Sequence, residues 1–118
     1  MIETPPSPHR PIRSYVLRQG RMTEAQQRAF ENLWPRYGLE PNQGPFDLPV
    51  IFGQHHPVTL EIGFGNGEAL SQMARIQPDQ NFIGVEVHSP GVGHLMIKLA
   101  EQESENVRIL QTDAMELL

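Results

Sequence analysis

The second half of the sequence predicts an α/β fold, because short segments with the composition of buried strands alternate with segments of helical periodicity. A glycine-rich turn joins the first predicted strand to the first predicted helix. This order predicts parallel strands connected by crossover helices. The predicted strands are residues 58–62, 82–87 and 107–110, the turn is residues 63–67, and the helices are residues 68–77 and 90–103.

The first half of the chain predicts an arm, one helix and an irregular connection. Residues 1–13 contain four prolines and few apolar side chains, which predicts an extended, mobile start. Thr23 and Gln26 have the spacing of a capping box, and the apolar side chains that follow predict a helix that Pro35 ends. Residues 35–57 hold five prolines and three glycines, which predicts a connection without regular structure. The predicted division is a flexible basic arm at 1–22, the helix and connection at 23–57, and the α/β unit at 58–118.

A sheet of only three parallel strands would leave one edge unpaired and part of its surface uncovered, which parallel sheets avoid. Residues 113–118 open a further predicted helix at the end of the sequence. We therefore expect the chain to be incomplete relative to a stable fold.

Composition excludes several classes of protein. None of the 118 residues is cysteine, which excludes a disulfide framework, a thiolate metal site and a cysteine nucleophile. No apolar run approaches the roughly 20 residues of a membrane span, and the first residues lack a hydrophobic signal core. The sequence predicts a cytoplasmic protein without membrane contact, and a monomer and a homodimer are both compatible with it.

Charge is divided unevenly along the chain. Residues 1–36 hold six arginines and three glutamates, whereas the remaining residues hold three basic and eleven acidic side chains. A basic arm ahead of an acidic body can reach phosphates that the body would repel. An ordinary polar tail would have the same composition.

The turn after the first strand has the spacing E-x-G-x-G-x-G. Glycines at Gly63, Gly65 and Gly67 allow a sharp turn and let a ligand approach the backbone closely. A dinucleotide fingerprint would have its third glycine where Glu68 stands, which argues against NAD. Glu61 would repel a pyrophosphate, whereas it suits the ammonium and sulfonium groups of S-adenosyl-L-methionine.

Two more acidic residues lie at the ends of the next two predicted strands. Glu86 lies where a carboxylate accepts hydrogen bonds from ribose hydroxyls, and Asp113 could accept from the adenine amino group. Taken singly, Glu61 and Asp113 would be solvated loop acids. Together with the glycines, the three acids predict a cofactor site at one edge of the sheet. His88 and His94 lack the spacing of a metal site, so we expect no metal and assign neither a catalytic role.

Four blocks of the sequence, in this order, resemble the bacterial tRNA (guanine-N7)-methyltransferases. The glycine block alone is common to methyltransferases in general, whereas the first and third blocks are more particular to this family. The blocks are RSYVLRQGRMTEAQQ (13–27), LEIGFGNGEAL (60–70), FIGVEVHSPGVG (82–93) and NVRILQTDAMELL (106–118).

The resemblance implies a Rossmann-like methyltransferase fold, dependent on S-adenosyl-L-methionine, of which this chain holds the first three parallel strands and their helices. It implies that Glu61, Glu86 and Asp113 bind the cofactor and that Arg18 and Arg21 help to hold tRNA. The reaction it implies transfers a methyl group to a guanine in the tRNA variable loop. The family's Asp-Pro-Trp-like catalytic segment is absent here, so catalytic residues are expected downstream of Leu118 and the chain alone is expected to be inactive.

The sequence is also compatible with three other functions. The same glycine block would serve a methyltransferase that acts on a small molecule or a protein. The chain could also be an inactive remnant that binds the cofactor weakly. A nucleotide-dependent dehydrogenase is a more distant alternative.

Overall fold

A computed structural model of the chain describes residues 21–41 and 45–113. The predicted arm up to residue 20, which includes Arg18, and the helix predicted to continue beyond Asp113 lie outside these residues. The helices are α1 (Glu24–Asn32), α2 (Trp34–Tyr37), α3 (Leu48–Phe52), α4 (Glu68–Ile76) and α5 (Ser89–Glu101). The strands are β1 (Gly38–Leu39), β2 (Val58–Ile62), β3 (Asn81–Glu86) and β4 (Val107–Gln111).

The strands form one parallel sheet in the order β1-β4-β3-β2. This sheet confirms the predicted α/β class and the three predicted strands. It also contains a strand that was not predicted, β1, which pairs Gly38 with Ile109 and so covers the edge of β4. Among the described residues, β2 pairs only with β3 and forms the other edge of the sheet. Leu60 and Ile62 on this strand are more than half exposed.

Alternating side chains on the strands point into two separate apolar clusters. The larger cluster lies between the sheet and helices α1, α2, α4 and α5, with Phe82 and Ile109 from the strands. The smaller cluster lies on the opposite face, where Ile83 and Val85 pack with α3. The sheet is therefore covered on both faces near β3 and β4, which is the arrangement that parallel sheets require.

The predicted capping box is present at the start of α1. The backbone N–H of Gln26 donates to Oγ1 of Thr23, and the backbone N–H of Thr23 donates to Oε1 of Gln26, both at 3.0 Å. The predicted end of this helix at Pro35 is wrong: α1 ends at Asn32, and Pro35 lies in the first turn of α2. Proline is tolerated there because the first N–H groups of a helix have no intrahelical partner.

The stretch predicted to be irregular also contains regular structure. It holds the end of α2, strand β1 and helix α3, which Asp47 caps by accepting from the N–H of Val50 at 3.4 Å. The ring of Trp34 lies over Gly38, where a β-carbon would come within 2.1 Å of it. This segment therefore packs against the same core as β4, and the predicted domain boundaries stay predictions.

Within residues 21–41 and 45–113, no helix combines the length and the apolar character that a membrane span needs.

Candidate functional site

The turn between β2 and α4 has a backbone that only glycine adopts easily. Gly63, Gly65 and Gly67 have φ values of 73°, 67° and 80°, in the left-handed region. The N–H of Gly67 donates to the carbonyl of Phe64 at 3.0 Å, which closes the turn. A β-carbon on Gly63 or Gly65 would meet no atom within 4 Å, whereas one on Gly67 would lie 2.7 Å from the side chain of Leu95. The turn therefore offers open space at Gly63 and Gly65, and packs against α5 at Gly67.

Glu86, at the end of β3, binds the turn directly. Its Oε1 accepts from the N–H of Gly65 at 2.7 Å. Its Oε2 accepts from the N–H groups of Val87 and His88 at 3.0 and 3.1 Å. A carboxylate offers about four acceptor positions, so capacity for a further donor is left after these three bonds. Glu86 thus joins the glycine turn to the loop that precedes α5.

Helix α5 contacts the turn from its other side. The carbonyl oxygen of Gly65 lies against Gly91, where a β-carbon would come within 2.0 Å of that oxygen. Nδ1 of His94 is 2.9 Å from the carbonyl oxygen of Asn66, and its Nε2 is 3.6 Å from Oε2 of Glu68. The sequence reasoning missed these contacts. A glycine within a helix was the available signal, since it costs stability unless another group approaches closely.

The loop between β3 and α5 is supported from β4. Gln111 is level with Glu86 in the sheet, and its Nε2 donates to the carbonyl of Val87 at 3.2 Å and to Oγ of Ser89 at 2.6 Å. Gln111 is nearly inaccessible to solvent. This buried amide therefore fixes the loop whose N–H groups bind Glu86.

Two of the other predicted site residues, Glu61 and Asp113, lie near the same edge of the sheet, whereas the predicted arginines precede the first helix in the sequence. Glu61 is half-buried on β2, level with Gly84 of β3, and Asp113 is exposed just beyond the end of β4. Strands β2, β3 and β4 are neighbours in the sheet, and neighbouring strands are about 5 Å apart. Glu61 on β2, Glu86 at the end of β3 and Asp113 just beyond β4 therefore share one rim of the sheet. Arg21 is exposed ahead of α1, and Arg18 lies outside the described residues.

Two groups with displaced pKa values lie away from this rim. Burial raises the pKa of Tyr37, whose hydroxyl donates to the carbonyl of Ser104 at 3.0 Å. Burial lowers the pKa of Arg108, whose guanidinium lies 5.0 Å above the ring of Phe52. Both groups support the packing of the N-terminal segment on β4.

The arrangement of donors and acceptors at the rim favours an uncharged or cationic ligand. In the part of the chain that the structure describes, no three His, Asp or Glu side chains are grouped so that they could hold a metal ion. His88 is the N-cap residue of α5 and is exposed. The carboxylate of Glu86 instead lies against Gly65, beside the open space at Gly63 and Gly65, and Glu61 lies on the neighbouring strand β2. Negative charge at this rim stabilises a positively charged ligand by Coulomb attraction.

Comparison with known proteins gives consistent matches. The protein family described as "Putative methyltransferase" matches residues 55–118. The chain is 58% identical over 111 residues to a tRNA (guanine-N(7)-)-methyltransferase of Methylococcus capsulatus, covering 94% of this chain and 48% of that protein. It is 51% identical over 109 residues to the protein of the same name from Nitrosococcus oceani, covering 92% and 46%. The chain thus spans about half the length of the curated relatives it matches.

A solved structure described as that of an antibiotic related methyltransferase has a similar fold. The TM-score is 0.53 at 20% sequence identity, and the match covers 65% of this chain and 38% of that one. Since the family match covers more than half of the chain and the relatives bear the name predicted from the four sequence blocks, the chain belongs to this methyltransferase family.

Proposed function

We propose that the chain is the cofactor-binding part of a methyltransferase that uses S-adenosyl-L-methionine to methylate N7 of a guanine in the tRNA variable loop. The observation that supports this most directly is the glycine turn, with positive φ at three glycines and open space at two of them. The carboxylate of Glu86 beside that space, with Glu61 on the neighbouring strand, suits a cationic ligand. The proposed target base, guanine, and the proposed substrate, tRNA, are taken from the names of the relatives.

The residues around the turn fit this cofactor. A ligand can lie against the backbone at Gly63 and Gly65, where a side chain would fill the space it needs. Glu86 has a remaining acceptor position for a ribose hydroxyl, and Glu61 places negative charge near the ammonium and sulfonium groups. Asp113, beyond β4, is proposed to accept from the adenine amino group.

The cofactor would supply a methyl group bound to a positively charged sulfur. Guanine N7 has a lone pair in the plane of the base, so the reaction needs no covalent intermediate on a side chain. What this chain contributes is alignment and electrostatic placement of one reactant. The residues that orient the base are proposed to lie in the part of the relatives that this chain does not span.

Cofactor binding is tested first by thermal unfolding of the chain with and without S-adenosyl-L-methionine. A ligand that binds only the folded state raises the midpoint as its concentration exceeds the dissociation constant. We expect such a rise with S-adenosyl-L-methionine and none with NAD. A rise with NAD alone would revive the dehydrogenase alternative.

RNA binding is tested with the arginines of the predicted arm. Replacing Arg18 and Arg21 by alanine should weaken binding of unmodified tRNA and reduce its dependence on salt, because fewer phosphates are neutralised. Arg75→Ala, on the exposed side of α4, is the matched control and should bind as the parent does. Unchanged tRNA affinity in the double variant would favour a methyltransferase with another substrate.

Catalysis is tested separately from binding. We expect the 118-residue chain to transfer no methyl group to undermethylated tRNA, because the base-orienting residues are proposed to lie outside it. Measurable turnover by the chain alone would contradict this assignment and place catalytic residues within the 118 residues.

A further inference from the structure

His94 lies on the second turn of α5 and both of its ring nitrogens face the glycine turn. Nδ1 is 2.9 Å from the carbonyl oxygen of Asn66. Since a carbonyl oxygen can only accept, Nδ1 carries the proton and donates it. Nε2 is 3.6 Å from Oε2 of Glu68, the first residue of α4. One side chain therefore contacts the end of the turn and the start of the following helix.

Asn66 is held at both of its oxygens. Its side-chain Oδ1 accepts from the N–H of Glu68 at 3.1 Å, while its backbone carbonyl accepts from His94. The peptide that follows Asn66 leads to Gly67, which has a left-handed backbone. Rotation of this peptide would break the bond to His94, so the bond favours the observed shape of the turn.

The contact of His94 belongs to a continuous interface between α5 and the turn. Gly91 and Leu95 lie on the same face of α5 as His94, because residues three and four apart in a helix are neighbours. Gly91 meets Gly65, and Leu95 meets Gly67. Of these three contacts, the one made by His94 is a directional hydrogen bond, whereas the other two are steric.

We propose that His94 is a positioning residue that holds the Asn66 peptide, and with it the glycine turn, in the shape that receives the cofactor. This inference rests on the proposed function. His94 does not touch the reacting atoms. It acts through the turn, which donates one hydrogen bond to Glu86 at the end of β3 and accepts another from His94 on α5.

Three substitutions separate this role from simple packing. His94→Asn places an amide N–H the same number of bonds from the backbone as Nδ1 and should keep the bond to Asn66. The amide nitrogen of His94→Gln lies at the position of Nε2, near Glu68, so this variant should not restore the hydrogen bond to the carbonyl of Asn66. His94→Leu keeps bulk but removes both polar contacts. His55→Leu, in the exposed loop before β2 and at the far end of that strand from the turn, is the matched control.

The measurement is the dissociation constant for S-adenosyl-L-methionine, taken at a temperature where thermal unfolding shows every variant to be folded. We expect His94→Leu and His94→Gln to bind about three- to tenfold more weakly, the range that one modest hydrogen bond provides. His94→Asn should bind within about twofold of the parent, as should His55→Leu. Equal affinity in His94→Leu and the parent would overturn the proposal, as would equal weakness in His94→Asn and His94→Leu.

Amide hydrogen exchange without cofactor provides a second readout. His94→Leu should accelerate exchange at Gly67 and Glu68, and His94→Asn should restore slow exchange. If the parent does not bind S-adenosyl-L-methionine, the proposed function fails, and accelerated exchange would then assign His94 to stabilising the turn alone. If the parent binds and exchange is unchanged in His94→Leu, the inference about His94 fails while the proposed function stands.

Discussion

The carbonyl oxygen of Gly65 lies against the α-carbon of Gly91, so closely that a methyl group there would come within 2.0 Å of the oxygen. This contact joins the turn after β2 to the helix after β3. Since neither partner can retreat without moving backbone, it makes α5 part of the wall of the candidate site.

Gly91→Ala should therefore disturb both stability and cofactor binding. We expect a net destabilisation of about 1–3 kcal/mol, because the clash with a backbone oxygen outweighs the gain in helix propensity. The free energy of unfolding is measured by denaturant titration, and affinity for S-adenosyl-L-methionine by calorimetry.

Gly93→Ala is the contrasting variant. Its β-carbon would lie 2.9 Å from Cβ of Gln26 on α1, so it should loosen the packing of α1 while leaving the glycine turn in place. We expect Gly93→Ala to lower stability without weakening cofactor binding. Equal loss of affinity in the two glycine variants would show that the effect comes from α5 as a whole.

Glu86→Gln should weaken the attachment of the turn to β3. The carboxylate accepts three backbone N–H groups, and an amide has only one oxygen to replace two. We expect a loss of about 1–2 kcal/mol in the free energy of unfolding and weaker cofactor binding. Glu101→Gln, at the exposed end of α5, removes the same charge and should change neither quantity.

Tyr37 should make stability fall at alkaline pH. Burial raises its pKa above the ordinary value of 10.0, so the unfolded chain loses this proton at lower pH than the folded chain does. The contribution of protonated Tyr37 to the free energy of unfolding is complete below about pH 10 and is lost as the pH rises through the folded-state pKa. Denaturant titrations between about pH 8 and pH 11 should show this decline.

Tyr37→Phe isolates that contribution. The variant should be less stable by about 1 kcal/mol at neutral pH, because the carbonyl of Ser104 loses its donor. Its further loss between neutral and alkaline pH should be smaller than in the parent. An identical alkaline decline in both proteins would assign the effect to other groups.

Gly38→Ala should be among the most damaging single substitutions in the N-terminal segment. The added carbon would lie 2.1 Å from the indole of Trp34, which is itself buried. We expect the free energy of unfolding to fall by about 2–3 kcal/mol. The fluorescence of Trp34, the single tryptophan, measures it during denaturant unfolding. Gly53→Ala, where a left-handed backbone is the only obstacle, should cost about 1 kcal/mol.

The strands and helices after residue 57 were predictable because each has a clear periodicity and ends at a turn residue. Predicted bounds agree with the observed β2, α4, β3, α5 and β4 to within two residues. Strand β1 was not predictable, since two residues carry no period. Helix α2 was not predictable from Pro35, because a proline fits equally well after a helix end and in the first turn of a new helix.

At the candidate site, the sequence predicted which residue types would meet but not how they bind one another. The order of strands places Glu61, Glu86 and Asp113 on one rim, and that order follows from the alternating pattern. The bond from Gly65 to Glu86 depends on the shape of the turn, and the bond from His94 to Asn66 depends on how α5 is rotated about its axis. Neither quantity is encoded by spacing alone, and the roles of these residues in binding stay predictions.

The pairing of β1 with β4 has a consequence for the order in which the chain folds. Tyr37 bonds to Ser104 across 67 residues, and Gly38 pairs with Ile109. Closing so long a loop is entropically costly until the strands between are in place. During synthesis from the amino terminus, the segment around α2 therefore leaves the ribosome early and must wait for β4 before it can dock. Its apolar surface, including Trp34, therefore stays exposed on the nascent chain until β4 has been made.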